Sequence, residues 1–363
     1  MGKPSHKKFA MPLTGDRNRL LLKAALAGAA VLLGLVSSPA FSQDPALFQG
    51  PDREQRLIDG ARKEGELVIY TSAPVDDMTV LTNAFEKKYG IKVKLWRATS
   101  QKVLERAVSE FRDNRSDVDI IETNGPELEA MHREELLREV KSPYLADLIP
   151  AAILPHREWI GTRMNIFSFG YNSKLIRREA LPKTYQDLLH PKWKGKLGIE
   201  AEDADWFSGV IGELGEDKGL KLFRDIVAAN GMAVHKGHTQ LATLVASGEV
   251  TLALTVYNYK AEQLKSRGAP INWFVIPPAI ARVNGVGVGR RAPHPHAAVL
   301  FFDFMLSDAQ QMLVYRDFVP TSKKVFTPLN KMPIRIVDPK AILDESDKWN
   351  GLYTEIFNKQ LKR

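Results

Sequence analysis

Residues 66–121 alternate between short apolar runs and amphipathic segments, and this alternation constrains the fold more than any other feature. The apolar runs have the β-branched and aromatic composition of strands, and the segments between them place apolar residues at helical spacing. In chain order we predict a strand at 66–70, a helix at 76–89, a strand at 91–96, a helix at 101–111 and a strand at 119–121. Strands and helices that alternate over so short a stretch require a parallel sheet with right-handed crossovers.

The same kinds of element continue after residue 163. We predict strands at 164–171, 196–201, 250–256, 273–277 and 285–290, with helices at 207–214, 219–230, 239–247 and from Pro295 onward. The segments near 164–171 and 273–278 are the expected crossings between two halves of the molecule. The sequence therefore predicts an α/β protein of two lobes, joined by two hinge crossings, with a ligand cleft between the lobes.

The first 42 residues have the features of a leader rather than of a folded domain. Six basic residues precede the apolar run 24–36, which is short for a permanent membrane span. Small-x-small sequences follow at residues 38–40 and 40–42, as a signal peptidase requires. We predict a Sec-type signal peptide at residues 1–42, cleaved near residues 40–42, and export to the periplasm. An uncleaved membrane anchor is the alternative.

Charge and cysteine content narrow the functional classes. The chain has 51 basic and 43 acidic residues; the leader holds six basic and one acidic, so the remainder holds 45 and 42, a net charge of +3. So small a charge does not indicate nucleic acid as a partner. The chain has no cysteine, which excludes disulfides, thiolate metal sites and cysteine nucleophiles. The fold must then rest on apolar burial.

Three segments in order carry a family resemblance. They are LPKTYQDLLHPKWKGKLGI at 181–199, GHTQLATLVASGEVTLALTVYNYKAEQLKSRGAPINWFVIPP at 237–278, and APHPHAAVLFFDFMLSDAQQ at 292–311. Together they resemble the bacterial extracellular solute-binding proteins, family 1, and within it the ferric-iron-binding-like group of ABC importers.

The resemblance implies a type II-like periplasmic-binding-protein fold that closes on its ligand. On that basis lobe 1 comprises residues 43–163 and about 278–325, lobe 2 comprises 164–277, and a C-terminal helical tail follows at 326–363. The expected function is periplasmic capture of a small ligand, organic or oxyanion or else ferric iron, for an inner-membrane permease with a cytoplasmic ATPase. A monomer without a cofactor is expected, and Fe³⁺ would be cargo.

Tyr257 and Tyr259 follow the predicted strand 250–256, and loops after parallel strands border the ligand crevice of an α/β sheet. Two phenols there suit either a hard trivalent cation or an organic ligand. In ferric-binding relatives this region holds two adjacent tyrosines as iron ligands, whereas here Asn258 separates the pair. Packing of one ring and exposure of the other is the alternative without function.

Four carboxylates, Glu200, Glu202, Asp203 and Asp205, lie at the end of the predicted strand 196–201 and just after it, in the segment EAEDADWF. Asp203 and Asp205 are the candidates for a ferric ion, together with Tyr257 and Tyr259. Asp205 is alternatively the N-cap of the next helix. Trp206 is a candidate stacking platform for a planar ligand, with core packing as the alternative.

The predicted loops of the first lobe each offer hydrogen-bond donors before a helix, an arrangement that suits anions. The candidate ligand-binding residues there are Thr71, Ser72, Arg97, Ser100, Thr123 and Asn124. Arg97 is the best candidate to hold a carboxylate or phosphate. The resemblance places a histidine or acidic iron ligand near Ala73 and Pro74, and neither side chain can bind metal.

The alternative function is a periplasmic enzyme, a hydrolase or transferase, on the same fold. Such an enzyme needs a nucleophile–base pair or an open metal–water site. No G-x-S-x-G motif occurs in the chain, and the spacing of Gly285, Gly287 and Gly289 is not that of a dinucleotide-binding loop. We therefore predict a binding protein and no enzyme.

Overall fold

The structure is a computed structural model that describes residues 43–358. These residues belong to one compact unit. The predicted signal peptide at residues 1–42 lies outside the described residues.

The described chain contains twelve strands, twelve α-helices and several single-turn 3₁₀ helices. The strands are β1 (Glu66–Thr71), β2 (Lys92–Arg97), β3 (Ile120–Asn124), β4 (Leu137–Arg138), β5 (Trp159–Asn172), β6 (Leu197–Glu200), β7 (Ala233–His235), β8 (Leu252–Tyr257), β9 (Ile271–Phe274), β10 (Ala279–Gly289), β11 (Val319–Pro320) and β12 (Ile334–Ile336). The helices are α1 (Arg53–Glu64), α2 (Val75–Tyr89), α3 (Ser100–Arg112), α4 (Gly125–Arg133), α5 (Ala204–Leu214), α6 (Glu216–Asn230), α7 (His238–Ser247), α8 (Asn258–Ser266), α9 (Pro295–Leu306), α10 (Asp308–Tyr315), α11 (Pro339–Asp344) and α12 (Ser346–Phe357).

The alternation of strands and helices predicted for residues 66–121 is present. β1 pairs in parallel with both β2 and β3, and α2 and α3 are the crossovers. Gly90 ends α2 in the left-handed conformation at φ 76°, where a side chain would be strained. The first half of the protein is therefore the parallel α/β unit that the sequence predicts.

The sheet continues across the molecule in the order β2-β1-β3-β10-β5-β8-β6-β7. β10 runs antiparallel to both β3 and β5. β6 pairs in parallel with β7 and β8, which rebuilds an α/β arrangement on the far side. The two predicted halves are thus connected through the long strands β5 and β10.

β5 changes partners midway along its length. Ile166 pairs with Ala281 of β10, whereas the next residue, Phe167, pairs with Tyr257 of β8. β5 is therefore a crossing segment, as expected for residues near 164–171. The exact lobe limits at residues 163 and 278 stay a prediction.

The C-terminal segment after residue 326 is predicted to be a helical tail, and it also contains a strand. β12 pairs in parallel with residues 279–281 of β10. α11 then packs on α4, where Arg133 forms a 2.6 Å ion pair with Asp344. α12 packs on α5, where the rings of Phe207 and Phe357 meet edge to face. The segment therefore contacts elements on both sides of the crossing strands.

Among the described residues, no single helix is long and apolar enough to cross a bilayer. α9 and α10 meet that test only as a pair, bent by 55° at the break between them, and α9 is buried in the hydrophobic core.

Candidate functional site

The loops predicted to form the cleft lie at the carboxyl ends of strands, and helices begin directly after them. α4 starts at Gly125, one residue after β3, and α8 starts at Asn258, one residue after β8. In an open α/β sheet this edge is where ligands bind. The short connections hold the side chains in place because each is anchored by a strand on one side and a helix on the other.

Three first-lobe candidates form a hydroxyl cluster. The Thr123 hydroxyl donates to Ser72 Oγ over 2.9 Å. The Thr71 hydroxyl donates to Glu122, a fully buried carboxylate that also pairs with buried Arg163. The structure therefore brings Thr71, Ser72 and Thr123 together and adds Glu122 and Arg163, which the sequence patterns do not single out.

The other first-lobe candidates differ in their surroundings. Arg97 is exposed, and its guanidinium lies 3.5 Å from the Ser72 carbonyl oxygen. Ser100 is the first residue of α3, and Asn124 accepts a 2.7 Å hydrogen bond from the Asn284 side chain of β10. Asn124 is thus tied to the crossing strand, whereas Arg97 keeps its donors available for an anion.

Tyr257 and Tyr259 are both buried, and their rings stack with centroids 5.7 Å apart. The Tyr257 oxygen accepts a hydrogen bond from Arg282, and the Tyr257 ring stacks on His238 at 3.6 Å. Tyr259 packs on Phe318 at 4.2 Å, and burial raises the pKa of its hydroxyl. Tyr257 thus contacts His238 and Arg282, whereas the Lys260 ammonium lies 5.3 Å from the centre of the Tyr259 ring. The proposed ligand role of the two tyrosines stays a prediction.

Two expectations for the segment EAEDADWF are wrong. Asp205 is not the N-cap: Asp203 holds that position, and Asp205 lies in the first turn of α5, where it pairs with Arg282 at 2.8 Å. Trp206 is not a ligand platform: it is 2% exposed and packs among Phe223, Phe207 and Tyr185. The indole has a large apolar surface, and burying this surface in the core stabilises the fold more than exposing it in a solvent-filled cleft would.

Asp203 is the most unusual group in the site. It is fully buried, and within residues 43–358 neither of its oxygens accepts a hydrogen bond. His238 Nε2 lies 3.2 Å from Asp203 Oδ1, and the Arg282 guanidinium is 4.0 Å away. Burial lowers the pKa of His238, but the carboxylates Asp203 and Glu200 outweigh burial and raise its pKa above the ordinary value.

His238, Arg282 and Glu127 are site residues that sequence reasoning misses. His238 begins α7 after Gly237, inside the second family segment, which is the one signal that points to it. Arg282 lies in β10 and joins Asp205 to Tyr257. Glu127 lies in the first turn of α4, and burial raises its pKa to about 7.

A cavity of about 240 Å³ adjoins this group. Glu127, Asp205 and Arg282 line it, and Ser346 and Asn350 of the C-terminal segment border it. A larger groove of about 640 Å³ lies elsewhere, beside α1 and α9, where the buried side chains of Arg53 and Asp303 pair with each other. The smaller cavity has the charged groups of the predicted cleft, so we take it as part of the candidate site.

Asp77 links the two halves on the other side of the tyrosines. It is buried at the start of α2, and its Oδ1 accepts hydrogen bonds from Arg316 at 2.5 and 2.8 Å. From α8, Gln263 donates to the same oxygen over 3.0 Å, and the Lys260 ammonium lies 3.7 Å from Oδ2. α2 and α8 flank the predicted cleft, so these contacts join its two sides.

Comparisons with known proteins agree with this architecture. Residues 118–338 match the model of a family described as bacterial extracellular solute-binding proteins. The chain is 26% identical to "Iron uptake protein A1" of Synechocystis over 83% of this chain and 87% of that protein. It is 24% identical to the "Fe(3+)-binding periplasmic protein" of Serratia marcescens over 68% of this chain and 75% of that protein.

A solved structure shows the same fold. The periplasmic binding protein AfuA of Actinobacillus pleuropneumoniae, with fructose-6-phosphate bound, superposes with a TM-score of 0.72. The two sequences are 22% identical, and the match covers 81% of this chain and 99% of AfuA. The two-lobed periplasmic-binding-protein fold is thereby confirmed, and this chain belongs to the bacterial extracellular solute-binding proteins.

Proposed function

We propose that this protein captures ferric iron in the periplasm and delivers it to an ABC permease. The proposal goes beyond family membership because it names the cargo. The sequence relatives are named for iron uptake and for Fe³⁺ binding, and they cover most of this chain. The cargo is transported by the protein and serves no catalytic role in it.

The buried carboxylate of Asp203 is the observation that carries the proposal. An ionised group in the interior is costly unless an opposite charge compensates it. Asp203 accepts no hydrogen bond among the described residues, and it lies beside His238. Carboxylate oxygens and imidazole nitrogens are ligands that iron accepts, so an iron cation can replace the His238 proton as the positive partner of Asp203.

Delivery follows from the two-lobed architecture. Closure at the crossing strands would enclose the ion, and the permease would recognise the closed form. We further propose cleavage of the leader near residues 40–42, a monomeric mature chain, and a cytoplasmic ATPase as the energy source of the permease.

An oxyanion is the second candidate cargo. The hydroxyls of Ser72 and Thr123 lie next to exposed Arg97, in loops that precede helices. Donors at helix N-termini suit phosphate and carboxylate groups. The enzyme alternative has less support, because members of the family are transport binding proteins.

Iron titration of the mature chain separates these cargoes. With residues 43–363 in ferric citrate followed by desalting, we expect one iron per chain by elemental mass spectrometry. We also expect a rise in melting temperature, because a ligand that binds only the folded state stabilises it. Citrate alone is the control. Stabilisation by citrate or phosphate without retained iron would favour the oxyanion cargo and contradict the ferric proposal.

A further inference from the structure

We propose that the ferric ion is coordinated by Glu200, Asp203 and His238, and that Tyr259 and Asp205 are not ligands. This assignment rests on the proposed function. It differs from a site built on the two tyrosines, because all three ligands come from loops of one half of the molecule. Lobe closure then covers the ion and is not needed to assemble its protein ligands.

The three side chains converge although they are distant in sequence. Glu200 ends β6, Asp203 precedes α5, and His238 is the first residue of α7. One ligand atom from each lies within 4.8 Å of the others. Imidazole nitrogen and carboxylate oxygen both ligate iron, and a single ion can contact all three side chains after small movements.

The orientation of His238 leaves the correct nitrogen available. Its Nδ1 lies 3.0 Å from the Thr255 carbonyl oxygen, which can only accept, so Nδ1 carries the proton. Nε2 faces Asp203 at 3.2 Å and pairs with that carboxylate when the ring is protonated, so an iron ion that binds Nε2 displaces the Nε2 proton. A backbone carbonyl that fixes the tautomer of a histidine is the usual outer support of a metal ligand. The stacked ring of Tyr257 also fixes the imidazole plane, which makes Tyr257 a positioning residue.

The two carboxylates are held in place by the backbone. The Glu200 oxygens accept hydrogen bonds from the amides of Glu202 and Gly237, at 2.5 and 2.8 Å. Each carboxylate oxygen has two lone pairs, so Glu200 can still bind a cation. The hydroxyl of Tyr353 in α12 donates to the Glu200 carbonyl oxygen and supports this loop. No backbone amide among the described residues donates to the Asp203 oxygens, and His238 Nε2 lies 3.2 Å from Oδ1.

The neighbouring candidates are occupied by other partners. Asp205 pairs with the buried guanidinium of Arg282 at 2.8 Å, so a metal ion at Asp205 would have to compete with this ion pair. Tyr259 lies against Phe318, and burial favours its neutral phenol. Neither group is therefore as available to a cation as Asp203.

A second cluster of potential metal ligands shows why the histidine tautomer matters. Glu129, His132 and His156 also converge, near the C-terminal end of α4. There the His156 Nδ1 accepts a 3.0 Å hydrogen bond from the backbone amide of Glu158. The proton of neutral His156 is consequently on Nε2, the nitrogen that faces Glu129. A cation bound at His156 Nε2 would move the proton to Nδ1 and break the Glu158 hydrogen bond, whereas a cation bound at His238 Nε2 leaves the Thr255 hydrogen bond intact.

Substitutions in the mature chain test the assignment. With ferric citrate as the probe, we expect Asp203→Asn and His238→Gln to lower iron affinity at least 100-fold, since loss of a direct ligand should exceed the 10–100-fold typical of outer-shell changes. Tyr259→Phe should bind iron within threefold of the unsubstituted protein. Glu249→Gln is the control, because it also removes one negative charge, and Glu249 is exposed in the turn between α7 and β8.

Pulsed electron paramagnetic resonance of the unsubstituted iron-loaded protein supplies a readout that does not depend on a variant folding. We expect ¹⁴N coupling from one imidazole nitrogen, abolished in His238→Gln. Iron bound without nitrogen coupling, or bound equally well by Asp203→Asn, would overturn this ligand assignment and leave the ferric function intact. Failure of the unsubstituted protein to bind iron would overturn the proposed function itself.

Discussion

Replacement of Asp77 by Asn should lower the free energy of unfolding by about 3 kcal/mol, since loss of one partner from a buried ion pair leaves the other charge uncompensated. Asp77 is 2% exposed and accepts two hydrogen bonds from Arg316, with Gln263 as a third donor. The asparagine keeps the volume of the side chain but removes its charge. Urea unfolding of the mature chain measures the difference.

Asp76→Asn is the matched control for this prediction. Asp76 is exposed and lies in the same first turn of α2, so both substitutions remove one negative charge near the helix N-terminus. We expect the control to cost less than about 1 kcal/mol. Equal losses in the two variants would show that Asp77 acts through the helix dipole and not through Arg316.

Gln263→Ala, in the same cluster, tests the closure of the predicted cleft separately from the stability of the fold. Gln263 donates to Asp77 and to the Arg316 carbonyl oxygen, and it reaches them from α8 across the predicted cleft. Its removal should weaken cargo binding about tenfold, which corresponds to about 1.4 kcal/mol, with a smaller effect on unfolding than Asp77→Asn. An unchanged affinity would mean that these hydrogen bonds do not contribute to closure.

Replacement of Glu127 by Gln should stabilise the protein at pH 8 and have little effect at pH 4.5. Burial raises the folded-state pKa of Glu127 to about 7 from an ordinary 4.5, although Arg282 opposes the rise. Asp205 adds to it, and Glu202 lines the same cavity. Between these two pKa values the folded state binds the proton more tightly than the unfolded state, so stability falls as the pH rises and the loss is complete above pH 7.

The difference between the folded and unfolded pKa values of Glu127 corresponds to a loss of about 3 kcal/mol in the free energy of unfolding. We expect Glu127→Gln to restore about 2 kcal/mol of this loss at pH 8. Unfolding of both proteins in urea at several pH values checks this, because groups shared by the two proteins cancel in the comparison. Glu105→Gln, on the exposed face of α3, should show no such pH dependence. A stability difference between Glu127→Gln and the unsubstituted protein that does not change with pH would contradict the account.

Local patterns in the sequence are sufficient to predict the first half of the fold. The apolar periodicity of residues 76–89 and the glycine at position 90 are properties of a short segment, and α2 spans Val75–Tyr89. The strand within the C-terminal segment is harder to predict. Ile334–Ile336 is only three residues long, and it is a strand because β10 offers hydrogen bonds to it.

The residues of the candidate site are still harder to predict from local sequence patterns. Tyr257 and Asp203 are recognisable because they follow predicted strands in chain order. His238 is not, because its contacts with Asp203 and Tyr257 depend on how α7 packs against β6 and β8. Trp206 is the reverse case, a residue that the sequence singles out wrongly. Its position next to the acidic segment predicts a contact with ligand, but its side chain is buried in the core. Sequence position predicts which loops meet, and tertiary packing decides which side chains face one another.

Native mass spectrometry of the protein isolated from the periplasm tests the central claim most directly. The denatured mass should match a chain that begins near residue 41 or 43. The native mass should exceed it by one iron atom, with or without a small anion, and ion mobility should show a more compact ion than the iron-free protein. A chain that retains an organic molecule and no iron would contradict the proposed cargo.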